Sequence, residues 1–154
     1  MNSIKNTLDD YYKKGYELKV KTNGFLPTQK RKGDAGYDFY LPEDIVIKPR
    51  QQVVIDTTVA LELPEGHAGL FALRSSICNK YKHLILKNPL VDENYRGVCH
   101  VILYNDSFIK TIKFKQNERV VSLFVFPVCQ AEVKLVDNLS ESNRGSSWNG
   151  SSGM

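Results

Sequence analysis

The sequence predicts an all-β fold, a barrel or a jelly-roll-like sandwich. Three observations carry that prediction. Short segments alternate apolar and polar residues with period two; Val120 to Val128 is a nearly unbroken apolar run; and Gly, Pro, Asn and Asp punctuate the intervals.

Taken in order, the chain begins with an exception. Ser3 as an N-cap, Leu8 and Tyr12 four apart, and Gly15 as a stop predict a short helix over residues 3–15. Tyr16 to Lys21 then alternates as a half-buried strand does. Asp44 to Lys48 is a short strand closed by Pro49. Gln52 to Thr57 and Thr58 to Leu63 read as two more strands, and Pro64-Glu65-Gly66 as a turn. Ala68 to Leu73 and Val98 to Tyr104 follow as strands, and Phe108 to Phe114 alternates again. The Val120 to Val128 run reads as a strand buried on both faces. Ala131 to Val136 alternates once more, and near Leu139 the apolar pattern gives way to a Gly/Ser-rich tail. The expected layout is an N-terminal extension over 1–15, a β domain over 16–139 and a flexible C-terminal tail over 140–154. There is no internal repeat.

Composition narrows the function classes. With 154 residues, 25% charged and 42% hydrophobic, the chain is expected to form one domain with a real core. The net charge of +4 is mild. Much of the excess lies in Lys13, Lys14, Lys19, Lys21, Lys30, Arg31 and Lys32, read as a solvated basic face and not as a nucleic-acid surface. No apolar run approaches the roughly 18 residues of a membrane span, and Met1 to Leu8 lacks a signal-peptide core. A cytoplasmic location is expected, or the host cytoplasm for a viral chain. Cys78, Cys99 and Cys129 are widely spaced and odd in number, which suggests buried free thiols in strands. His67, His83 and His100 lack metal-ligand spacing, so no protein-held transition metal is expected.

Four polar stretches carry the chemistry. Arg144 to Met154 holds one arginine, one tryptophan and otherwise almost only Gly, Ser and Asn. It cannot pack a core, but it has a guanidinium fork and backbone and hydroxyl donors suited to phosphate. Asp34-Ala35-Gly36-Tyr37-Asp38 sets two carboxylates around a glycine; in isolation it reads as a turn with solvated acids. Arg74-Ser75-Ser76, directly after an apolar strand, is either an anion grip or a capping turn. In Asn88 to Gly97, Asp92 follows an apolar pair and could take a proton from water, and Tyr95 offers a flat face to a sugar or base. No Gly-x-Ser-x-Gly, Walker A or His-Glu-x-x-His motif is present. A carboxylate, an anion grip and a Gly/Ser/Arg tail suggest water attacking a phosphate.

With Asn117-Glu118-Arg119-Val120-Val121-Ser122-Leu123 added, and Leu90 to Gly97 as the core of the Asp92 stretch, these stretches make five motifs in the order of the trimeric dUTP diphosphatase (dUTPase) family. The chain resembles that family over residues 16–153. The resemblance implies a β-clip, a distorted jelly roll, assembled as a homotrimer whose active sites each draw on three subunits. It implies hydrolysis of dUTP to dUMP and pyrophosphate, with Mg²⁺ held by the triphosphate, and neither nucleic acid nor a membrane as partner. Asp92 would be the general base. Tyr95 would lie under the deoxyribose and leave no room for a 2′-hydroxyl. Arg74, Ser75 and Ser76 would hold phosphate oxygens of a neighbouring subunit's substrate, and Asp38 would meet Mg²⁺ through a water only. Asn88, Leu90, Val91 and the returning strand near His100 would read the base, and Ser122 stands where motif 4 reaches phosphate. Arg144, Ser151 and Ser152 would clamp the γ-phosphate as a lid, with Trp148, Asn149 and Gly150 over the base. Removing such a lid would cost turnover and leave the fold.

The sequence departs from the family pattern at several points. The family's tail reads Arg-Gly-x-Gly-Gly-Phe-Gly-Ser-Thr-Gly. Here Asn149 occupies the position of the stacking Phe, and Trp148 stands one place before it. Ser147 and Trp148 replace two glycines, Ser122 replaces a Gln, and Asn117 a Gly. Only Pro89-Leu90-Val91 separate Asn88 from Asp92, a shorter hairpin than the family's, and Pro89 has no N–H to donate. Two readings therefore stand beside dUTP hydrolysis: hydrolysis of another pyrimidine deoxynucleoside triphosphate, and a nucleotide-binding regulator that switches a protein partner. The related dCTP deaminase needs a glutamate on the strand after the Asp motif, and Val98 to Tyr104 has none.

Overall fold

A computed structural model describes residues 15–142. The helix expected over 3–15 and the tail from Arg144 onward lie outside the described residues.

Among the described residues ten strands and one short helix follow in order: β1 (Lys19–Thr22), β2 (Gly36–Tyr40), β3 (Ile45–Ile47), β4 (Gln52–Glu62), β5 (His67–Leu73), α1 (Ser75–Lys80), β6 (Leu84–Lys87), β7 (Leu90–Val91), β8 (Val98–Asn105), β9 (Ile112–Phe114) and β10 (Arg119–Pro127). They form two four-stranded sheets, ordered β1-β4-β8-β6 and β2-β10-β5-β7, and a small β3-β9 ribbon. The fold is all-β, a distorted jelly roll. All the strand pairs are antiparallel.

Period-two alternation places the core. Ile55, Val59 and Leu61 of β4 and Cys99, Val101 and Leu103 of β8 face inward, against Phe39, Phe71 and Leu123 of the second sheet. Phe39 and Phe71 meet edge to face at 4.9 Å, a favoured aromatic geometry. In the middle of the second sheet, β10 pairs with β5 from Val121↔Leu73 to Pro127↔His67. Gly69 lets these strands close up with β7, because a Cβ there would stand 2.9 Å from Leu123 Cδ1 and 3.3 Å from Val91 Cβ.

Several expectations are corrected. Residues 131–136 form no strand, and Val133 and Leu135 are almost fully exposed. The segment alternates, but no neighbour among the described residues completes a ladder. Phe108 to Phe114 is strand only from Ile112. The Ser107 hydroxyl accepts from the backbone N–H groups of Ile109 (3.3 Å) and Lys110 (2.9 Å), which holds a loop in place of a ladder. The two strands expected over Gln52 to Leu63 are one, β4, with a bulge between Asp56 and Ala60 where Thr58 takes φ 62°. The predicted turn at Asp34 to Asp38 is mostly β2, with the turn earlier: Asp34 bonds back to Arg31 through both its N–H and its carboxylate. Of the cysteines, only Cys99 is buried; Cys78 sits on α1 and Cys129 follows β10, both exposed. Among the described residues no helix is long and apolar enough to cross a membrane.

Candidate active site

The predicted residues gather in two places. The first is a cleft of about 320 Å³ between the sheets, lined by Phe71, Asn88, Leu90, Val91, Asp92, Tyr95, Cys99 and His100. Six of these eight, all but Phe71 and Cys99, were expected from sequence. The short strand β7 positions them. It pairs with β5 at Gly69↔Val91 and Leu70↔Leu90, and the Phe71 N–H donates to the Pro89 carbonyl at 2.7 Å. Val91 is buried, so the chain emerging after it presents Asp92 at the surface. Asn88, at the other end, adopts φ 48°, a left-handed conformation that Asn tolerates better than most residues.

The turn after Asp92 is closely tied. The Tyr95 N–H donates to the Asp92 carbonyl (3.1 Å), and Arg96 Nη1 donates to the carbonyls of Glu93 (2.6 Å) and Tyr95 (3.1 Å). The Glu93 carboxylate accepts the Gly66 N–H at 2.8 Å. Tyr95 folds back over Gly97 and donates its hydroxyl to the Val98 carbonyl at 2.9 Å; a Cβ on Gly97 would fall 2.5 Å from that hydroxyl. The Asp92 carboxylate itself takes no hydrogen bond from any described residue. His100 stands on β8 opposite Asp56, its Nε2 4.0 Å from Asp56 Oδ2.

The second place is a cavity of about 390 Å³ whose lining includes Lys30, Asp34, Asp38, Arg74, Ser75, Ser76 and Ser122. It shares no lining residue with the cleft. Its centre is the buried Asp38 carboxylate. Arg74 Nε lies 3.0 Å from Oδ1, Arg119 Nη1 donates to Oδ2 at 3.2 Å, and the Ser122 hydroxyl donates to Oδ1 at 2.6 Å. Arg74 Nη1 also donates to the Arg119 carbonyl at 3.2 Å. Register explains the convergence: Asp38 pairs with Ser122 across β2–β10, and Ser122 with Ala72 across β10–β5, just before Arg74. Arg74 is the extended residue that opens α1, whose first helical residues are Ser75 and Ser76.

Two donors meet Asp38 Oδ1 and one meets Oδ2, so most of the acceptor capacity of this carboxylate is taken by protein groups. Among the described residues no three His, Cys, Asp or Glu side chains gather to hold a metal ion.

Arg119 was quoted within a motif but not singled out. Its signal in the sequence is only a lone guanidinium at the mouth of a buried strand; its partner Asp38 lies 81 positions away. Cys99 was expected to be buried, and its thiol is pushed up to about 11 by burial; that it lines the cleft follows only from the packing of β8 against β5. The tail residues Arg144, Trp148, Asn149, Gly150, Ser151 and Ser152 lie outside the described residues.

Comparison with known proteins joins these observations. A family model described as dUTPase matches residues 22–153. A deoxyuridine 5'-triphosphate nucleotidohydrolase of Tropheryma whipplei is 36% identical over 131 residues, covering 84% of this chain and 90% of that protein. One of the same description from Nautilia profundicola is 33% identical over 136 residues, covering 88% and 95%. Among solved structures, the dUTPase of Staphylococcus bacteriophage 80alpha with dUPNHPP superposes with a TM-score of 0.83 at 29% identity, over 90% of this chain and 99% of that one. A mutant dUTPase of phage phi11 of S. aureus, described as coordinating a structural Mg(II) ion, superposes at 0.74 with 25% identity, over 79% and 97%.

Proposed function

The chain belongs to the dUTPase family, and we propose that it hydrolyses dUTP to dUMP and pyrophosphate as a homotrimer. The observation that carries this reading is the Asp92 carboxylate, exposed at the mouth of the cleft beside Tyr95 and unengaged by any described residue. A carboxylate so placed is free to orient a water and take its proton. The water oxygen bonds to the α-phosphorus, the bond from that phosphorus to the bridging oxygen breaks, and pyrophosphate leaves with the electron pair. Tyr95 supports the deoxyribose, and the cleft holds the base.

Phosphate binding falls to Arg74, Ser75 and Ser76, with Lys30 on the same rim. Positioning and charge neutralisation of this kind do most of the work in phosphoryl transfer. The cleft and the phosphate cavity have no lining residue in common, which favours an active site assembled from more than one subunit. Val133 and Leu135 are almost fully exposed among the described residues, which favours a neighbour that covers them. Mg²⁺ would arrive with the triphosphate, neutralise part of its charge, and meet Asp38 through water.

A second reading keeps the reaction and changes the base. Pro89 has no N–H, and its carbonyl is already engaged by Phe71, so the shortened hairpin offers a ligand fewer backbone groups.

One assay tests all of this. Purified protein with Mg²⁺ and each deoxynucleoside triphosphate is assayed for pyrophosphate release. Turnover is expected with dUTP, reduced by about 10² to 10⁴ in Asp92→Ala. A preference for dCTP or dTTP would move the substrate assignment only. Absence of all turnover with tight nucleotide binding would sink the hydrolase and leave a nucleotide-gated regulator.

A further inference from the structure

A third cavity, of about 480 Å³, is lined by Lys80, Tyr81, Lys82, His83, Asn105, Ser107, Lys110, Thr111 and Ile112. It is larger than the cleft or the phosphate cavity and shares no residue with either. We propose that it is an anion site for a phosphorylated small molecule of about nucleotide size.

Charge is the first argument. Three lysines and a histidine line the cavity, with no carboxylate among them. Lys80, Lys82 and Lys110 enter no ion pair with any described residue. Two acids lie near the lining: Asp106 is paired with Arg50, and Glu118 is close enough to favour the charged form of Lys80. Lys80 Nζ lies over the Tyr81 ring, 4.9 Å from its centroid, while Lys82 and Lys110 remain to meet an anion with charge-assisted hydrogen bonds.

Rigidity is the second. Asn105 is wholly buried, and its amide nitrogen donates to the carbonyls of Ile47 (3.0 Å), Lys48 (3.1 Å) and Lys110 (2.7 Å). The Asn105 side-chain oxygen accepts the Ser107 N–H at 3.1 Å, and the Ser107 hydroxyl accepts those of Ile109 and Lys110. On the facing wall, the Asp106 N–H donates to the His83 carbonyl at 2.8 Å, and Tyr81 is fixed against Phe114 at 5.1 Å and through its hydroxyl to the Lys113 carbonyl. The backbone that carries Lys82, His83, Lys110 and Thr111 is therefore set before any ligand arrives, which lowers the cost of binding.

Size is the third. The volume lies in the range of small-molecule pockets and exceeds what a single phosphate fills.

The test uses the full chain and compares it with Lys82→Gln/Lys110→Gln, two exposed positions outside the proposed catalytic machinery. Pyrophosphate and AMP are titrated separately, following the amide resonances of His83, Ser107 and Thr111. A saturable shift at these amides is expected, weakened about tenfold or more in the double variant and by added salt, with dUTP hydrolysis unchanged. Tighter binding of AMP supports a site that reads more than phosphate; equal binding supports one that reads phosphate alone. The proposal is overturned if these amides do not shift, or if the double variant binds as tightly as the original chain.

Discussion

The cleft at Asp92 and the cavity at Asp38 both abut β5, but their acids live in opposite circumstances. Asp38 is buried, and its two oxygens are shared among Arg74, Arg119 and Ser122. Asp92 is exposed and takes no hydrogen bond from any described residue. A carboxylate saturated by protein donors braces a site, since its charge is already spent; a carboxylate left unengaged can still accept a proton. The same residue type serves as architecture in one place and as chemistry in the other, and the surroundings decide which.

Paired substitutions separate the two roles most widely. Asp92→Asn should lower turnover by about 10² to 10⁴ while shifting stability by less than about 0.5 kcal/mol. Asp38→Ala should cost roughly 3–5 kcal/mol, because it strands two part-buried guanidinium groups without a counter-charge. Urea titrations at one fixed protein concentration read this difference, and equal stability of the two variants would erase the distinction. Next, if cleft and cavity meet only across subunits, Val133→Asp/Leu135→Asp should dissociate the assembly. Light scattering would report a smaller mass and activity would fall on dilution; full activity as a monomer would return both halves of the site to one chain. A narrower effect is expected from Gly97→Ala, which displaces Tyr95 and leaves the Asp38 cluster intact. Discrimination between dUTP and UTP should fall, by about tenfold for a packing change worth ~1.4 kcal/mol, and stability should change little. The smallest effect is chemical. At pH 8 a thiol reagent should modify Cys78, exposed on α1, and spare Cys99, whose thiol burial pushes up to about 11, until the protein unfolds.

The alternating and all-apolar runs were enough to place β3, β5, β8 and β10, because half-buried and fully buried strands write their period directly into the chain. The elements that carry the site were harder to read. β7 has two residues and α1 six, both too short for any period to show. β2 hid behind its own acids: Asp34 makes the turn, whereas Asp38 points inward to arginines brought from β5 and β10. Residues 131–136 alternate as a strand should, and the missing information is the partner that a strand needs. The cleft was largely legible because one continuous stretch, Asn88 to His100, supplies most of it. The Asp38 cluster joins residues separated by up to 84 positions, and only the sheet register reveals which of them meet.

The bulge in β4 has a mechanical consequence. The strand lies between β1 and β8 in one sheet, pairs with β8 from Gln52 to Asp56 and again at Ala60, pairs with β1 from Val59 to Glu62, and passes the bulge without a loop. Thr58 holds φ 62° there, a strained value for a β-branched residue that costs on the order of 1–3 kcal/mol. The Asp56 carboxylate steadies it by accepting the Thr58 N–H at 2.8 Å, and the Thr57 hydroxyl fills the interrupted ladder by donating to the Cys99 carbonyl at 2.7 Å. With no loop at the bulge, one unbroken stretch of backbone runs from the residues paired with β1 to Thr57, which is bonded to Cys99 on the lining of the cleft.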